Sequence, residues 1–126
     1  MSGILIDTSV WVAHFRQRNA ALVALLAADQ ALMHPMVLGE LACGAPPERA
    51  RTLSDLALLQ ATQHASLREI MAFVDREQLH GLGCGLVDMS LLASTLLTPG
   101  VTLWTLDNRL ADLAARYQVV HQVPLH

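Results

Sequence analysis

The sequence predicts an α/β fold with a central, mainly parallel sheet of about four to five strands between two layers of helices. Short, continuously apolar runs alternate with amphipathic segments along the chain. Strands that are buried on both faces give such unbroken runs, and strand–helix–strand units give parallel pairing. A length of 126 residues suits one domain, and we expect residues 1–126 to share a single core.

The first third of the chain predicts two strands and three helices. Residues 4–6 are continuously apolar and predict a strand, and apolar positions at helical spacing predict a helix after Asp7. A second helix is expected around residues 22–26 and a short strand over 31–33. A third helix is expected over 35–43, because proline begins this segment and glycine follows it.

The middle of the chain is predicted to be helical. An amphipathic pattern that starts at two consecutive prolines predicts a helix over residues 46–59, and another follows over about 66–79. Glycines at alternate positions in residues 81–85 predict a flexible joint. Asp88 then begins a helix that stops before Pro99, because proline disfavours helical backbone in the residue before it.

The last part of the chain predicts a strand, a helix and a closing strand, over residues 101–106, 108–117 and 119–123, with Pro124 at the edge of the sheet. Asp107 follows the first of these strands, just as Asp7 follows the strand at the start of the chain. Parallel sheets bind ligands outside the carboxyl ends of their strands. We therefore expect both aspartates at one crevice.

The amino-acid composition excludes several classes of function. All eight basic residues are arginine, and the absence of lysine excludes a Walker-type phosphate loop, a Schiff base and a lysine-dependent receiver switch. A net charge of −3 argues against a surface that coats nucleic acid generically. Two isolated cysteines, without a signal segment or membrane span, predict a cytoplasmic location. A hydrophobic fraction of 53% predicts apolar surface that contacts another chain.

Four acidic residues interrupt apolar stretches: Asp7, Glu40, Asp88 and Asp107. Leaving an unpaired carboxylate in such surroundings costs several kcal/mol, so four of them suggest one shared cation site. Their oxygens are hard ligands, and no histidine or cysteine stands at metal-ligand spacing, which favours Mg²⁺ or Mn²⁺ over zinc. Phosphodiester hydrolysis by a metal-activated water is the chemistry that this site predicts.

Each acid also has a structural explanation when it is taken singly. Asp7 and Asp88 suit caps of the helices that follow them, and Asp107 could form an Asx-turn with Asn108. Glu40 lies within a predicted helix, where glutamate usually faces solvent. The coincidence of the four, rather than any one of them, favours a metal site.

Several further residues are candidates for supporting roles. Asp112 could be a fifth ligand, although an aspartate on an amphipathic helix is more often at the surface. The hydroxyls beside the expected crevice could hold a carboxylate or a metal-bound water, and Asn108 could serve likewise; they belong to Thr8, Ser9 and Thr105. The candidate phosphate contacts are Arg16, Arg18 and Arg109.

The segments that carry the four acids resemble the motifs of PIN-domain nucleases, and especially of VapC-type toxins. These segments are residues 4–11, 34–44, 83–93 and 103–110, and they occur in the family's order over essentially the whole chain. One departure is His34, which stands where relatives often have serine or threonine.

The resemblance implies a PIN-like fold and an active site. In it, Asp7, Glu40, Asp88 and Asp107 are the quartet that binds Mg²⁺ or Mn²⁺, and Thr105 is the hydroxyl residue that supports it. It also implies an endoribonuclease, a homodimer and inhibition by a cognate antitoxin whose tail covers the cleft.

Two alternatives stay open from the sequence. A phosphatase of the haloacid-dehalogenase type, with Asp7 as nucleophile, would need an aspartate where Ser9 stands and a lysine that the chain lacks. A catalytically silent PIN-like module would bind RNA or a protein partner and would show no metal-stimulated cleavage.

Overall fold

The structure, a computed structural model, describes residues 2–123 and has a parallel sheet with helices on both faces. Within these residues the sheet has three strands in the order β2-β1-β3. Both pairings of the central strand are parallel. The strands are β1 (Gly3–Ile6), β2 (Ala31–Leu32) and β3 (Val101–Trp104).

Seven helices connect and cover the strands in the described part of the chain. They are α1 (Thr8–Arg16), α2 (Ala20–Ala27), α3 (Pro35–Cys43), α4 (Arg49–Leu56), α5 (Leu67–Glu77), α6 (Leu86–Leu97) and α7 (Asn108–Arg116). The sequence predicted all seven, and the bounds of α3 agree with its pattern. None of these helices has the length and apolar character needed to cross a bilayer, as far as residues 2–123 are concerned.

The sheet is buried on both faces. Leu5 and Ile6 are consecutive in β1 and therefore point to opposite faces, yet both are fully buried. Leu103 and Trp104 repeat this pattern in β3. The structure therefore confirms the predicted arrangement of a parallel sheet between layers of helices.

The predicted number of strands is too high for the described residues. The segment expected as a closing strand over 119–123 makes a single parallel bridge, between Leu103 and Val120, and Pro124 lies outside the described residues. The reason is that the backbone N–H of Val119 donates to Ala114 at the end of α7 instead of joining the sheet. A second isolated bridge, Met33 to Ala61, lies beside β2.

Several predicted element boundaries also differ from the structure. Helix α6 begins at Leu86 rather than at Asp88, because Gly85 is its cap residue and Asp88 binds back to it from the first turn. β3 ends at Trp104 rather than at residue 106, because the N–H of Leu106 donates to the Ser9 hydroxyl and leaves the ladder. The helix predicted over 46–59 forms over α4 alone, and Glu48 before it is in the left-handed region with φ of 47°. The two prolines therefore lie before this helix rather than in its first turn.

Helix α6 occupies the centre of the molecule. Seven consecutive residues, 89–95, are buried, and the helix packs against β3 and three other helices. The Ser90 and Thr95 hydroxyls donate to carbonyls one turn earlier in the same helix, which satisfies them inside the core. The first turn of α6, which carries Asp88, is therefore held in a fixed place relative to β3.

A buried histidine begins the helix that carries Glu40. The Nδ1 atom of His34 accepts a hydrogen bond from the N–H of Met36 at 3.0 Å and caps α3, in the way that serine or threonine does elsewhere. Burial, with a smaller contribution from the nearby His64, lowers the pKa of His34 to about 4. The cap therefore depends on a neutral imidazole.

We predict that the His34 cap makes the fold sensitive to acid. Its pKa is 6.5 when unfolded and about 4 when folded, so the unfolded chain binds an extra proton between these values. The free energy of unfolding should therefore fall as the pH decreases from 6.5 towards 4. Asparagine in His34→Asn supplies an oxygen that can accept the capping bond and does not titrate. Urea unfolding near neutral pH and near pH 4.5 should therefore show a smaller loss of stability on acidification than in the native chain.

The exposed His80 gives a matched control for this experiment. The variant His80→Asn should lose as much stability on acidification as the native chain does. An unchanged pH dependence in His34→Asn would contradict the assignment.

Candidate active site

The four acidic residues surround the carboxyl ends of β1 and β3. Asp7 directly follows β1, and Asp107 comes three residues after the end of β3. Asp88 lies in the first turn of α6, and Glu40 lies on α3. Neighbouring parallel strands end at the same edge of a sheet, so the central strand and β3 bring two of these acids together.

Asp7 is held by two hydroxyl groups. Its Oδ2 atom accepts hydrogen bonds from Ser9 Oγ at 2.7 Å and from Thr105 Oγ1 at 2.8 Å, and the residue is 6% exposed. Its carboxylate makes no capping bond to α1, although its backbone occupies the cap position. Among the described residues no hydrogen bond reaches its other oxygen, Oδ1. The structure therefore does not support the simple capping role for Asp7.

The same two hydroxyls also fix the turn after β3. Thr105 Oγ1 accepts from the N–H of Asp107 at 3.0 Å, and Ser9 Oγ accepts from the N–H of Leu106 at 3.0 Å. The two hydroxyl oxygens are 3.5 Å apart. Each hydroxyl donates its proton to Asp7 and accepts from the turn, so the position of Asp107 depends on that of Asp7.

The other three acids have local hydrogen-bond partners. Asp107 Oδ1 accepts from the N–H groups of Arg109 and Leu110 at 2.9 and 3.1 Å, which caps α7. Asp88 Oδ2 accepts from the N–H of Gly85 at 3.2 Å. The Thr8 hydroxyl donates to Glu40 Oε1 at 2.6 Å. Asp107 therefore caps α7 as suggested. Asp88 is not the cap residue of α6 but binds back from the first turn to the cap residue Gly85, and Glu40 is tied to the first residue of α1.

Electrostatics joins all four acids into one group. Burial raises the pKa of Asp88 above its usual value, and the bond from Gly85 opposes this shift. The negative charges of Asp7, Asp107 and Glu40 raise the pKa of Asp88 further. Like charges interact in this way only at short range in a partly buried setting. Asp88 is therefore close enough to the other three carboxylates to be affected by their charges.

The chemistry of this group fits a hard divalent cation. Every candidate ligand is a carboxylate oxygen, and the mutual repulsion that acts on Asp88 is the condition that a cation relieves. Within residues 2–123, however, no three acidic, histidine or cysteine side chains stand close enough together to enclose an ion. Glu40 and Asp107 are each bound by a local partner, the Thr8 hydroxyl and the first turn of α7 respectively.

The remaining predicted residues take different places. Arg16 lies beside Thr8 and Glu40 along a groove of about 390 Å³ between α1 and α3. Asp112 is exposed and is not among the charges that act on Asp88. Arg18 and Asn108 are exposed, and within residues 2–123 their side chains form no hydrogen bond or ion pair with the four acids.

Residues 83–85, at the start of the third motif segment, lie beside the acids, but the sequence predicted no role for Cys84. Burial raises the pKa of the Cys84 thiol, and the charges of Asp88 and Asp107 raise it further, whereas the charge of Arg109 lowers it. Cys84 is thus a neutral neighbour of the acids. The signal in the sequence was its position four residues before Asp88, between glycines that were interpreted as a flexible joint and as part of the motif segment 83–93.

Comparison with known proteins identifies the family of this chain. The family model of the PIN domain matches residues 4–116. The chain is 45% identical over 112 residues to ribonuclease VapC32 of Mycobacterium tuberculosis, in strain CDC 1551 / Oshkosh and in strain ATCC 25618 / H37Rv. These matches cover 89% of this chain and 90% of each relative. The chain therefore belongs to the PIN-domain family, among the ribonucleases of the VapC type.

Proposed function

We propose that this protein is a Mg²⁺-dependent endoribonuclease, with Mn²⁺ as a possible substitute, and that it is the toxin of a toxin–antitoxin module. The observation that supports the proposal is electrostatic: the negative charges of Asp7, Asp107 and Glu40 all raise the pKa of Asp88, next to the carboxyl edge of a parallel sheet. The similarity to a ribonuclease supports RNA as the substrate. No observation favours the phosphatase alternative.

In this proposal Asp7, Glu40, Asp88 and Asp107 hold the ion. A bound divalent ion supplies an activated water and neutralises negative charge on the phosphate. The bonds from Ser9 and Thr105 to Oδ2 of Asp7 support the assignment, because they fix the carboxylate and leave Oδ1 available. Ligand orientation by such outer partners is a common feature of metal sites.

Glu40 and Asp107 are proposed as the adjustable members of the quartet. Glu40 is exposed on α3, and its bond to Thr8 holds it at the crevice. Asp107 binds the first turn of α7 through Oδ1, and its other oxygen can face the crevice while that cap stays intact. Capping and metal binding therefore do not exclude each other at this residue.

The partners follow from the toxin assignment. We propose that a cognate antitoxin covers the crevice and that the chain forms a homodimer in the cytoplasm. Large apolar side chains that are at least half exposed support such contacts: Leu58, Leu67, Met71, Leu86 and Leu106. Leu86 and Leu106 adjoin the segments that carry Asp88 and Asp107, so a protein partner at the crevice would cover them.

We predict that Asp7→Asn abolishes RNA cleavage without unfolding the chain. The substitution removes one charge and one strong ligand with little change in shape, so cleavage in Mg²⁺ should fall by at least about 100-fold. The assay is cleavage of total RNA with mapping of the new ends, and growth arrest on induction should be lost in parallel. Asp29→Asn, at an exposed aspartate before β2, is the matched control and should keep native activity.

Two results would count against this mechanism. Full cleavage by Asp7→Asn would exclude the metal role of Asp7. If the pure native chain, freed of antitoxin, cut no RNA in Mg²⁺ or Mn²⁺, the silent RNA- or protein-binding module would be favoured instead.

We predict that the Thr105 hydroxyl contributes to metal affinity. Thr105→Val removes the donor to Asp7 and the acceptor for the N–H of Asp107, whereas Thr105→Ser keeps both. Loss of an outer partner should weaken metal binding by about 10- to 100-fold. Titrating Mg²⁺ in the cleavage assay should show this shift for valine and little change for serine. Equal dependence of cleavage on Mg²⁺ in the two variants would contradict this role of the Thr105 hydroxyl.

We predict that the metal-free protein is destabilised by its own site. The raised pKa of Asp88 means that ionising this group costs more in the folded chain than in the unfolded chain, so stability is lost as the pH rises through that pKa. At neutral pH and without metal, Asp88→Asn should therefore unfold at a temperature a few degrees higher. Solvent screens the charges around this half-buried carboxylate, so the change should be roughly 1 kcal/mol or less.

Added Mg²⁺ should reverse the order of stability of the native chain and Asp88→Asn. It should raise the unfolding temperature of the native chain more than that of Asp88→Asn, because the variant has lost a ligand. Asp29→Asn should follow the native chain under both conditions. A metal-free Asp88→Asn chain that is less stable than the native chain would show that Asp88 acts mainly as a structural residue.

A further inference from the structure

Arg109 lies against the backbone of the glycine-containing loop beside the acidic crevice. A Cβ atom built on Gly83 would stand 2.5 Å from Nη1 and 2.8 Å from Cδ of Arg109. Such distances cannot occur, so the arginine side chain occupies the space that any other residue at position 83 would need. Gly83 also has φ of +86°, a conformation that glycine adopts without strain.

The direction of this side chain follows from its place in the chain. Arg109 is the second residue of α7, and its N–H is bound to Asp107. Side chains in a helix point towards its N-terminus, so the guanidinium is directed back past the start of α7 towards residues 83–85. Gly83 comes two residues before Gly85, whose N–H binds Asp88, so the guanidinium lies between the segments that carry Asp107 and Asp88, at the rim of the crevice.

The guanidinium of Arg109 takes part in no ion pair with the described residues. Arg51 and Arg76 are within 4.0 Å of a carboxylate, and within residues 2–123 Arg109 has no such partner. Its guanidinium lies against the backbone of Gly83 instead. The protein thus presents a fixed cation next to a negatively charged site.

Resting on the proposed function, we infer that Arg109, seated on Gly83, binds a phosphate group of the RNA next to the one that is cleaved. An acidic crevice repels a polyanion, and a cation at its rim offsets this repulsion for the flanking phosphate. Guanidinium groups bind phosphate through paired N–H donors. Arg109 is therefore a substrate-binding residue, and Gly83 is a positioning residue that acts through it.

The test measures RNA binding by a chain that cannot cut. In the Asp7→Asn chain with Mg²⁺, fluorescence anisotropy gives the Kd of a labelled single-stranded RNA at several salt concentrations. Adding Arg109→Ala should raise the Kd by about 10-fold and reduce the slope of log K against log salt by about 0.7, the value for one phosphate contact. Arg109→Lys should retain most of the slope, because it keeps the charge.

Gly83→Ala should also weaken RNA binding. The added methyl group should displace the guanidinium of Arg109, since an arginine side chain moves more easily than the backbone. Gly81→Ala is the matched control: Gly81 also has a positive φ, of 72°, but no atom of residues 2–123 lies within 4 Å of its added Cβ. Both variants place alanine at a positive φ, and only Gly83→Ala meets Arg109, so Gly81→Ala should leave the Kd and the salt slope unchanged. In the Arg109→Ala background, Gly83→Ala should add no further loss.

Kinetics of the cutting chain provide a second measurement. Arg109→Ala alone should raise the KM for RNA by about 10-fold with kcat within about twofold of native, because a flanking contact contributes to binding before and during reaction alike. A fall in kcat at unchanged KM would overturn the assignment to a flanking phosphate. An unchanged Kd and slope for Arg109→Ala, or equal effects of Gly83→Ala and Gly81→Ala, would overturn the inference.

The two proposals can fail separately. If the native chain cuts no RNA but Arg109→Ala still lowers the salt slope, the nuclease proposal fails and the phosphate contact stands. If the native chain cuts RNA and the Arg109 variants bind it normally, the phosphate contact fails and the nuclease proposal stands.

Discussion

The hydrogen bond from Thr105 to Asp7 is the interaction on which the rest of the site depends. It joins residues 98 positions apart in the chain at the edge where β1 and β3 end. The hydroxyls of Thr105 and Ser9 bind the same carboxylate oxygen and also hold the turn that leads to Asp107. Two strand ends, one carboxylate and the start of α7 are therefore fixed as a unit.

This arrangement explains how a charged group can lie at the end of a buried strand. Asp7 is nearly inaccessible to solvent, and charge in such a place needs hydrogen-bond donors. Two hydroxyls provide these donors on one oxygen. The pKa of Asp88 is raised by burial and by three other acids, so the cluster retains repulsion that its own hydrogen bonds do not remove. Repulsion that persists in a folded domain is typical of a functional site.

Structural and functional explanations of the acids turn out to be compatible. Asp107 caps α7 through one oxygen, and Asp88 binds Gly85 at the start of α6. A carboxylate has more acceptor positions than a cap uses, so the same residue can orient a helix and contribute to the crevice. The caps also aim the first turns of α6 and α7 at the site, and the second of these turns carries Arg109 onto Gly83.

The sequence by itself determined the order of the helices, the parallel sheet and the four acids, because buried strands and amphipathic helices leave distinct periodicities and charge is conspicuous in apolar runs. Only the tertiary structure decided the short strands, the partners of each carboxylate and the placement of Arg109 on Gly83. These depend on contacts between residues far apart in the chain, such as Ser9 with Leu106 and Gly83 with Arg109. A local pattern carries no record of which backbone N–H a distant hydroxyl will bind, or of which side chain will fill the space above a glycine.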